Sequence, residues 1–247
     1  MNKGLHRGLS KGLKKEKEYT PFKNLSSVYF DGVNERIALN VSIHLGTTHT
    51  ISFWMYQPIN NNAVIIGGGA FPYYTPYYSG WQLWYRTATT FVNWTYTLPT
   101  NRWIHIVFSR NETSINLYVN AILIGNKTLG ANEVPSITSI GSYGNALFPF
   151  NGYLNNLSFW LNVGFSQQQI LEILRDKNGN PKDISRYMDA MNPTLCRVWF
   201  FKGNNDIARM NAGGTAGMFF VPKLTQYINY LGTGVNMDAS NVREFVP

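Results

Sequence analysis

Residues 71–85 hold eight aromatic side chains in fifteen positions. Rings of Tyr and Trp combine a large rigid apolar face with a polar tip, which suits them to stack on sugar rings or to anchor a protein interface. Pro72, Pro76 and Gly80 punctuate the run, so it reads as a loop, and a loop cannot bury every ring it carries. Phe71, Tyr73, Tyr74, Tyr77 and Tyr78 are therefore the candidate ligand or interface residues, whereas Trp81 and Trp84 read as core. A subunit contact, a bound glycan and packing of the loop over its own core stand as three readings of that segment.

The other chemistry-bearing residues assemble no reacting set. Glycoside hydrolysis needs a pair of carboxylates flanking one bond, and no Glu-x-Asp-x-Glu pattern occurs anywhere. His6, His44, His49 and His105 lack a Ser or Cys in a nucleophile-elbow context, and no Cys/His cluster has metal-ligand spacing. His105 reads as a structural histidine. Gly67, Gly68 and Gly69 precede no Lys-Ser/Thr pair, which excludes a phosphate loop. The single cysteine, Cys196, cannot close an internal disulfide and reads as a small buried hydrophobe. The expectation is a protein without catalytic residues or a cofactor.

Charge is concentrated at the start. Net charge is +8, and residues 1–24 carry seven Lys/Arg against Glu16 and Glu18. Within this arm Gly-Leu recurs at Leu5, Leu9 and Leu13, which on a helix would share one face opposite Lys3, Arg7, Lys11, Lys14 and Lys15. Three glycines at about 1 kcal/mol each weaken such a helix in water, so ordering is expected on docking to a partner. A solvated tail of no special role is the first alternative, and contact of the arm with nucleic acid or an anionic membrane is the minor one.

Elements able to position the aromatics follow from residue 26 onward. Short β-branched and aromatic runs separated by Gly, Asn and Pro predict strands over 27–30, 36–39, 50–56, 63–67, 80–86, 90–97, 102–110, 114–119, 121–124, 136–141 and 152–160. Strands so closely spaced imply two packed antiparallel sheets. One helix is predicted, with Ser166 as N-cap, Gln169 as its capping-box partner and an apolar face of Ile170, Leu171, Ile173 and Leu174, ending near Asp176. Only 14% of residues are charged against ~25% in an average domain. The balance is neutral polar, chiefly 28 asparagines.

The opening strand from Ser27 to Glu35, the His49 to Met55 strand, Arg102 to Val107 followed by Ile115 to Asn120, and Phe150 to Trp160 followed by Phe165 to Ile170 resemble, in the same order, the motifs of the laminin-G-like, concanavalin A-type jelly-roll domains. The resemblance implies an all-β, two-sheet antiparallel jelly-roll sandwich over residues 25–175, with one short helix, a basic arm at 1–24 and a C-terminal extension at 176–247 packing on the sandwich or on a partner. Asn155-Asn156 and Asn120-Ala121 stand where the family carries acidic pairs. A hard divalent cation wants several carboxylates, so no metal is expected, and Ca²⁺ through backbone carbonyls and Asp31 is the disfavoured alternative.

The C-terminal stretches from Leu195 to Asp206 and from Gly232 to Val242 are similar to laminin-G-like proteins of tailed phages. This second resemblance implies a virion structural protein, a capsid decoration, head fibre or tail/portal component, located in the virion, anchored by its arm to capsid, portal or tail proteins and homo-oligomeric. The alternative is a carbohydrate-binding adhesin that recognises host surface glycans.

Overall fold

In a computed structural model of the chain, the described residues are 27–60, 62–68, 76–79, 82–87, 90–131, 136–143, 147–182, 184, 196–200, 210–211, 215–216, 232–235, 237 and 242–243. Runs rich in apolar and β-branched residues give β1 (Ser27–Asp31), β2 (Arg36–His44), β3 (His49–Tyr56), β4 (Ala63–Val64) and β5 (Ile66–Gly68). They are followed by β6 (Pro76–Ser79), β7 (Gln82–Arg86), β8 (Phe91–Thr95), β9 (Trp103–Asn111), β10 (Ser114–Val119), β11 (Ile122–Thr128), β12 (Ser136–Ile140) and β13 (Asn151–Leu161). Later strands are β14 (Cys196–Phe200), β15 (Met210–Asn211), β16 (Thr215–Ala216), β17 (Gly232–Val235) and β18 (Val242–Arg243).

All described pairings are antiparallel. The large sheet runs β11-β10-β9-β3-β13-β1-β18, with β14 also on β13. Two four-stranded sheets, β17-β2-β12-β5 and β4-β6-β7-β8, complete the sandwich, and β15 pairs with β16. One apolar cluster joins the layers: Phe53, Ile106, Phe108 and Leu154 of the large sheet pack in it with Ile37, Ile43, Ile140, Leu83 and Trp94. Burying this surface, at about 25 cal/mol per Å², is the dominant favourable term in such a fold.

Strand β13 is long enough to carry two partners on one side. Val28 to Asp31 of β1 pair with its first half, Leu154 to Asn151, and β14 pairs with Leu157 to Trp160 of its second half. The changeover coincides with a bulge: the register with β3 shifts between Asn155 and Ser158, and Asn156 has φ 46°. Asparagine tolerates that left-handed conformation better than most residues.

Three local expectations need correction. The stretch read as a loop contains β6, whose Tyr77 and Tyr78 lie opposite Trp84 and Leu83. Pro76 sits at its first position, where a missing N–H is best tolerated, so pairing on both sides overrides the punctuation. Trp84 is half-buried rather than core and packs on Phe91 at 5.6 Å, a residue 60% exposed. The helix starts as expected, with Ser166 and Gln169 exchanging both capping-box bonds, but after Gln167–Gln169 it widens into a π-helical turn, Ile170–Leu174. Ile170 and Leu174 are buried there with Val107, Trp160 and Phe165 in a second cluster, and Arg175 leaves in extended geometry.

Candidate functional site

The outward face of the large sheet carries an aromatic row. Register places Tyr29 opposite Tyr153, Tyr153 opposite Tyr56 and Tyr56 opposite Trp103, so one ring from each of β1, β13, β3 and β9 falls at the same level. Their neighbours Val28, Phe30, Leu154, Met55 and Ile104 point into the core, and strand alternation sends the four rings the other way. All four are half-buried. Centroids stand 4.9 Å apart for Tyr29 and Tyr153, 5.8 Å for Tyr153 and Tyr56, 5.9 Å for Tyr56 and Trp103, and 6.3 Å for Trp103 and Tyr153. Tyr153 thus touches the other three.

Polar residues border the row. Asp31 faces Asn151 two positions along the same face. Asn101 accepts a 3.4 Å hydrogen bond from the Tyr56 hydroxyl. On the opposite flank Trp54 lies between Asn155 and His105. The His105 ring stacks on Trp54 at 4.8 Å and 11°, and the Arg175 guanidinium stands 4.9 Å from the Trp54 centroid. That flank is closed, because Trp54, Asn155 and His105 are all buried.

Deeper along this face sits a buried polar layer. Ser52 Oγ and His105 Nε2 are 2.8 Å apart, Trp160 Nε1 donates to Ser158 Oγ at 2.9 Å, and Asn156 Nδ2 donates to Asn155 Oδ1. A cavity of about 10 Å³ among Ser52, Trp54, Asn156, Ser158 and Lys182 is the size of one water. A serine at this distance from an imidazole has the spacing of a nucleophile and its base. The chemistry does not follow: the ring is fully buried, its Nδ1 meets no hydrogen-bond partner among the described residues, and burial, with Arg175 adding, holds its pKa well below the usual imidazole value. Among the described residues no carboxylate orients it. The ring is held between Ser52 Oγ and the Trp54 face, with only one of its nitrogens satisfied among the described residues.

Asp31 is the one carboxylate carried by any described strand, which leaves the strands without the pair that glycosidic cleavage uses. The polar groups at the positions weighed for calcium are engaged within the protein. Asp31 Oδ1 accepts the Val33 N–H at 2.7 Å, Glu35 accepts the Asp31 N–H at 2.5 Å, and Asn155 and Asn156 bond each other. Among the described residues no three His, Cys, Asp or Glu side chains come together.

Of the residues singled out from the sequence, Tyr77 and Tyr78 lie on β6 as backbone positions. Phe71, Tyr73 and Tyr74, and the arm residues Lys3, Leu5, Arg7, Leu9, Lys11, Leu13, Lys14 and Lys15, lie outside the described residues. The aromatic row was missed. Its signal was an aromatic at the polar-out position of four predicted strands, but strand register, which aligns them, cannot be read from separate segments.

A laminin-G-type family model, described as the concanavalin A-like lectin/glucanases superfamily, matches residues 31–171. Among solved structures, a Bacteroides ovatus protein described as a "putative carbohydrate binding protein" aligns with a TM-score of 0.57 at 14% identity, over 87% of this chain and 59% of that one. The chain therefore spans about three fifths of that relative's length. A SAP-like pentraxin from Limulus polyphemus aligns at 0.48 and 11% identity over 60% of this chain and 80% of that one. Domain 4 of an extracellular arabinanase from Geobacillus stearothermophilus, solved with arabinotriose, aligns at 0.46 and 18% identity over 59% and 75%. No curated protein matches. The family match carries no support for the expected place in a phage particle.

Proposed function

The chain belongs to the concanavalin A-like lectin/glucanases superfamily, and from that premise we propose that it is a non-catalytic carbohydrate-binding module. The observation that supports this reading is the aromatic row: four half-buried rings held in register on a rigid sheet, bordered by Asp31, Asn101 and Asn151. Sugar rings present C–H faces that pack on aromatic faces, and their hydroxyl edges need polar partners beside the stack. The Tyr-rich segment with Phe71, Tyr73, Tyr74, Tyr77 and Tyr78 supplies a second contact area in this proposal.

The test is a broad glycan array probed with the wild-type protein and with Tyr153→Ala. Tyr153 contacts each other ring of the row, so its loss is expected to weaken binding at least about tenfold while far-UV circular dichroism stays unchanged. Equal binding by a folded variant would remove the row from the reading, and silence of the wild-type protein across the array would remove the reading itself.

A second reading is favoured by the basic arm: the chain as a component of a phage particle, homo-oligomeric and anchored through residues 1–24 to capsid, portal or tail proteins. Deleting residues 1–24 is then expected to abolish co-purification with particles on a density gradient while leaving glycan binding intact. Undiminished incorporation of the truncated chain would exclude anchoring by the arm.

A further inference from the structure

Beyond the aromatic row, the outer face of the large sheet is covered in two different ways. At its far end the chain is stitched to the strands: Thr50 Oγ1 donates to the Val163 carbonyl at 2.9 Å and accepts the Phe165 N–H at 3.0 Å, Ser109 Oγ donates to the Phe165 carbonyl at 2.7 Å, and Gln167 Nε2 donates to the Ala121 carbonyl at 2.9 Å. Beneath that cover the packing is apolar, with Val107, Trp160 and Ile170 buried together. Residues 175–182 form the next cover, and they are a hairpin closed on itself. Arg175 bridges to Pro181, the Asp176 N–H donates to the Asn180 carbonyl at 2.9 Å, and Asp176 Oδ1 accepts the Asn178 and Asn180 N–H groups at 2.8 Å. Lys182 ties the hairpin to the π-helical turn, through the carbonyls of Leu174 and Glu172. Among the described residues, none of its hydrogen bonds reaches a strand.

What the hairpin hides is largely polar. Ser52 and Trp54 flank the core residue Phe53, and Ser158 lies between the core residues Leu157 and Phe159, so all three point outward. One face of an antiparallel sheet commonly meets water, yet these three are buried. The seating over them is imperfect. The Arg175 guanidinium stands 4.9 Å from the Trp54 centroid, its Nη1 is buried with no hydrogen-bond partner among the described residues, and a cavity of about 10 Å³ remains among Lys182, Ser52 and Ser158. Lifting the hairpin gives up the contact on Trp54 and returns Nη1 to water, which relieves the cost of a buried unpaired donor. We infer that residues 175–182 are a strap that swings on the π-helical turn Ile170–Leu174 and uncovers Trp54 while the stitched segment and the sheet stay closed. Segments with few contacts to the body open locally in this way, and π-helical turns recur at functional positions within helices.

Limited oxidation of the full chain with N-bromosuccinimide, read at each tryptophan by peptide mass spectrometry, tests the strap. Trp54 and Trp160 are both buried on this face, one under the hairpin and the other under the stitched segment. Trp54 is expected to react at least about tenfold faster than Trp160. Asp176→Ala removes the acceptor of two bonds that hold the hairpin in shape, and it is expected to quicken oxidation of Trp54 by about threefold or more with Trp160 unchanged. Equal rates at the two positions in the wild-type chain, or an unaltered Trp54 rate in the variant, would overturn the strap. A parallel rise at both positions in the variant would overturn it equally, because the hairpin would then open only with the whole fold.

Discussion

Gly152→Ala is expected to destabilise the sandwich by about 3 kcal/mol or more. Gly152 lies on β13 opposite Phe30 of β1, with φ 149°, a region L-residues rarely adopt. An added Cβ would stand 2.2 Å from the carbonyl oxygen of Tyr56 and 2.9 Å from the Phe150 ring. The first of these is backbone, so relief requires β3 to part from β13 where Tyr56 pairs with Tyr153. Gly46→Ala is the comparison, because its nearest neighbour would be 3.7 Å away and its φ is not left-handed. Urea denaturation of both variants measures the difference. Equal midpoints would show that the sheet yields at this joint, contrary to the close packing of its layers.

Acid is expected to weaken the fold by about 3 kcal/mol between pH 6.5 and 4 through His49 alone. The ring is fully buried at the start of β3. Nδ1 stands 2.6 Å from the Gly46 carbonyl, which can only accept, so Nδ1 carries the proton and Nε2 accepts from the Tyr85 hydroxyl at 2.7 Å. Burial lowers its pKa from 6.5 to about 4; the Gly46 bond opposes that shift and Arg110 adds to it. Above pH 6.5 the imidazole is neutral in both the folded and unfolded chain, and the contribution is complete. Below it the unfolded chain takes up a proton that the folded chain refuses until about pH 4, so stability falls with pH. His105, shifted in the same direction, steepens the loss. Urea midpoints recorded from pH 7.5 to 4 should fall, and His49→Gln should flatten the slope. An unaltered slope in that variant would rule His49 out as its source.

Local signals told the truth about elements and said little about neighbours. The apolar run from Trp103 to Phe108 reads as a strand covered on both faces, and β9 is buried along almost its whole length. Ser166 and Gln169 mark a helix start that the structure reproduces bond for bond. Tyr77 and Tyr78 misled because Pro72, Pro76 and Gly80 are loop signals only when no neighbouring strand waits to pair, and β4 and β7 do. The aromatic row shows the larger limit. Tyr29, Tyr56, Trp103 and Tyr153 are scattered through the chain, and only pairing register brings them level. Asn156 shows a third: an asparagine in an asparagine-rich chain carries no mark of the bulge it forms.

The pairing of β1 with β18 has a consequence for how the molecule comes into being. Ser27 meets Arg243, Val28 meets Val242, and β2 takes β17 as its neighbour. Both strands therefore acquire these partners from segments about 200 residues further along the chain. Ribosomes add about 5–20 residues per second, so on synthesis β1 and β2 wait on the order of tens of seconds with unpaired edges. Contacts so remote in sequence also make for slow folding, because the loop must close before its contacts contribute. The nascent chain passes through that interval with an edge that any other strand could claim, and successful assembly depends on the tail arriving before a neighbouring chain does.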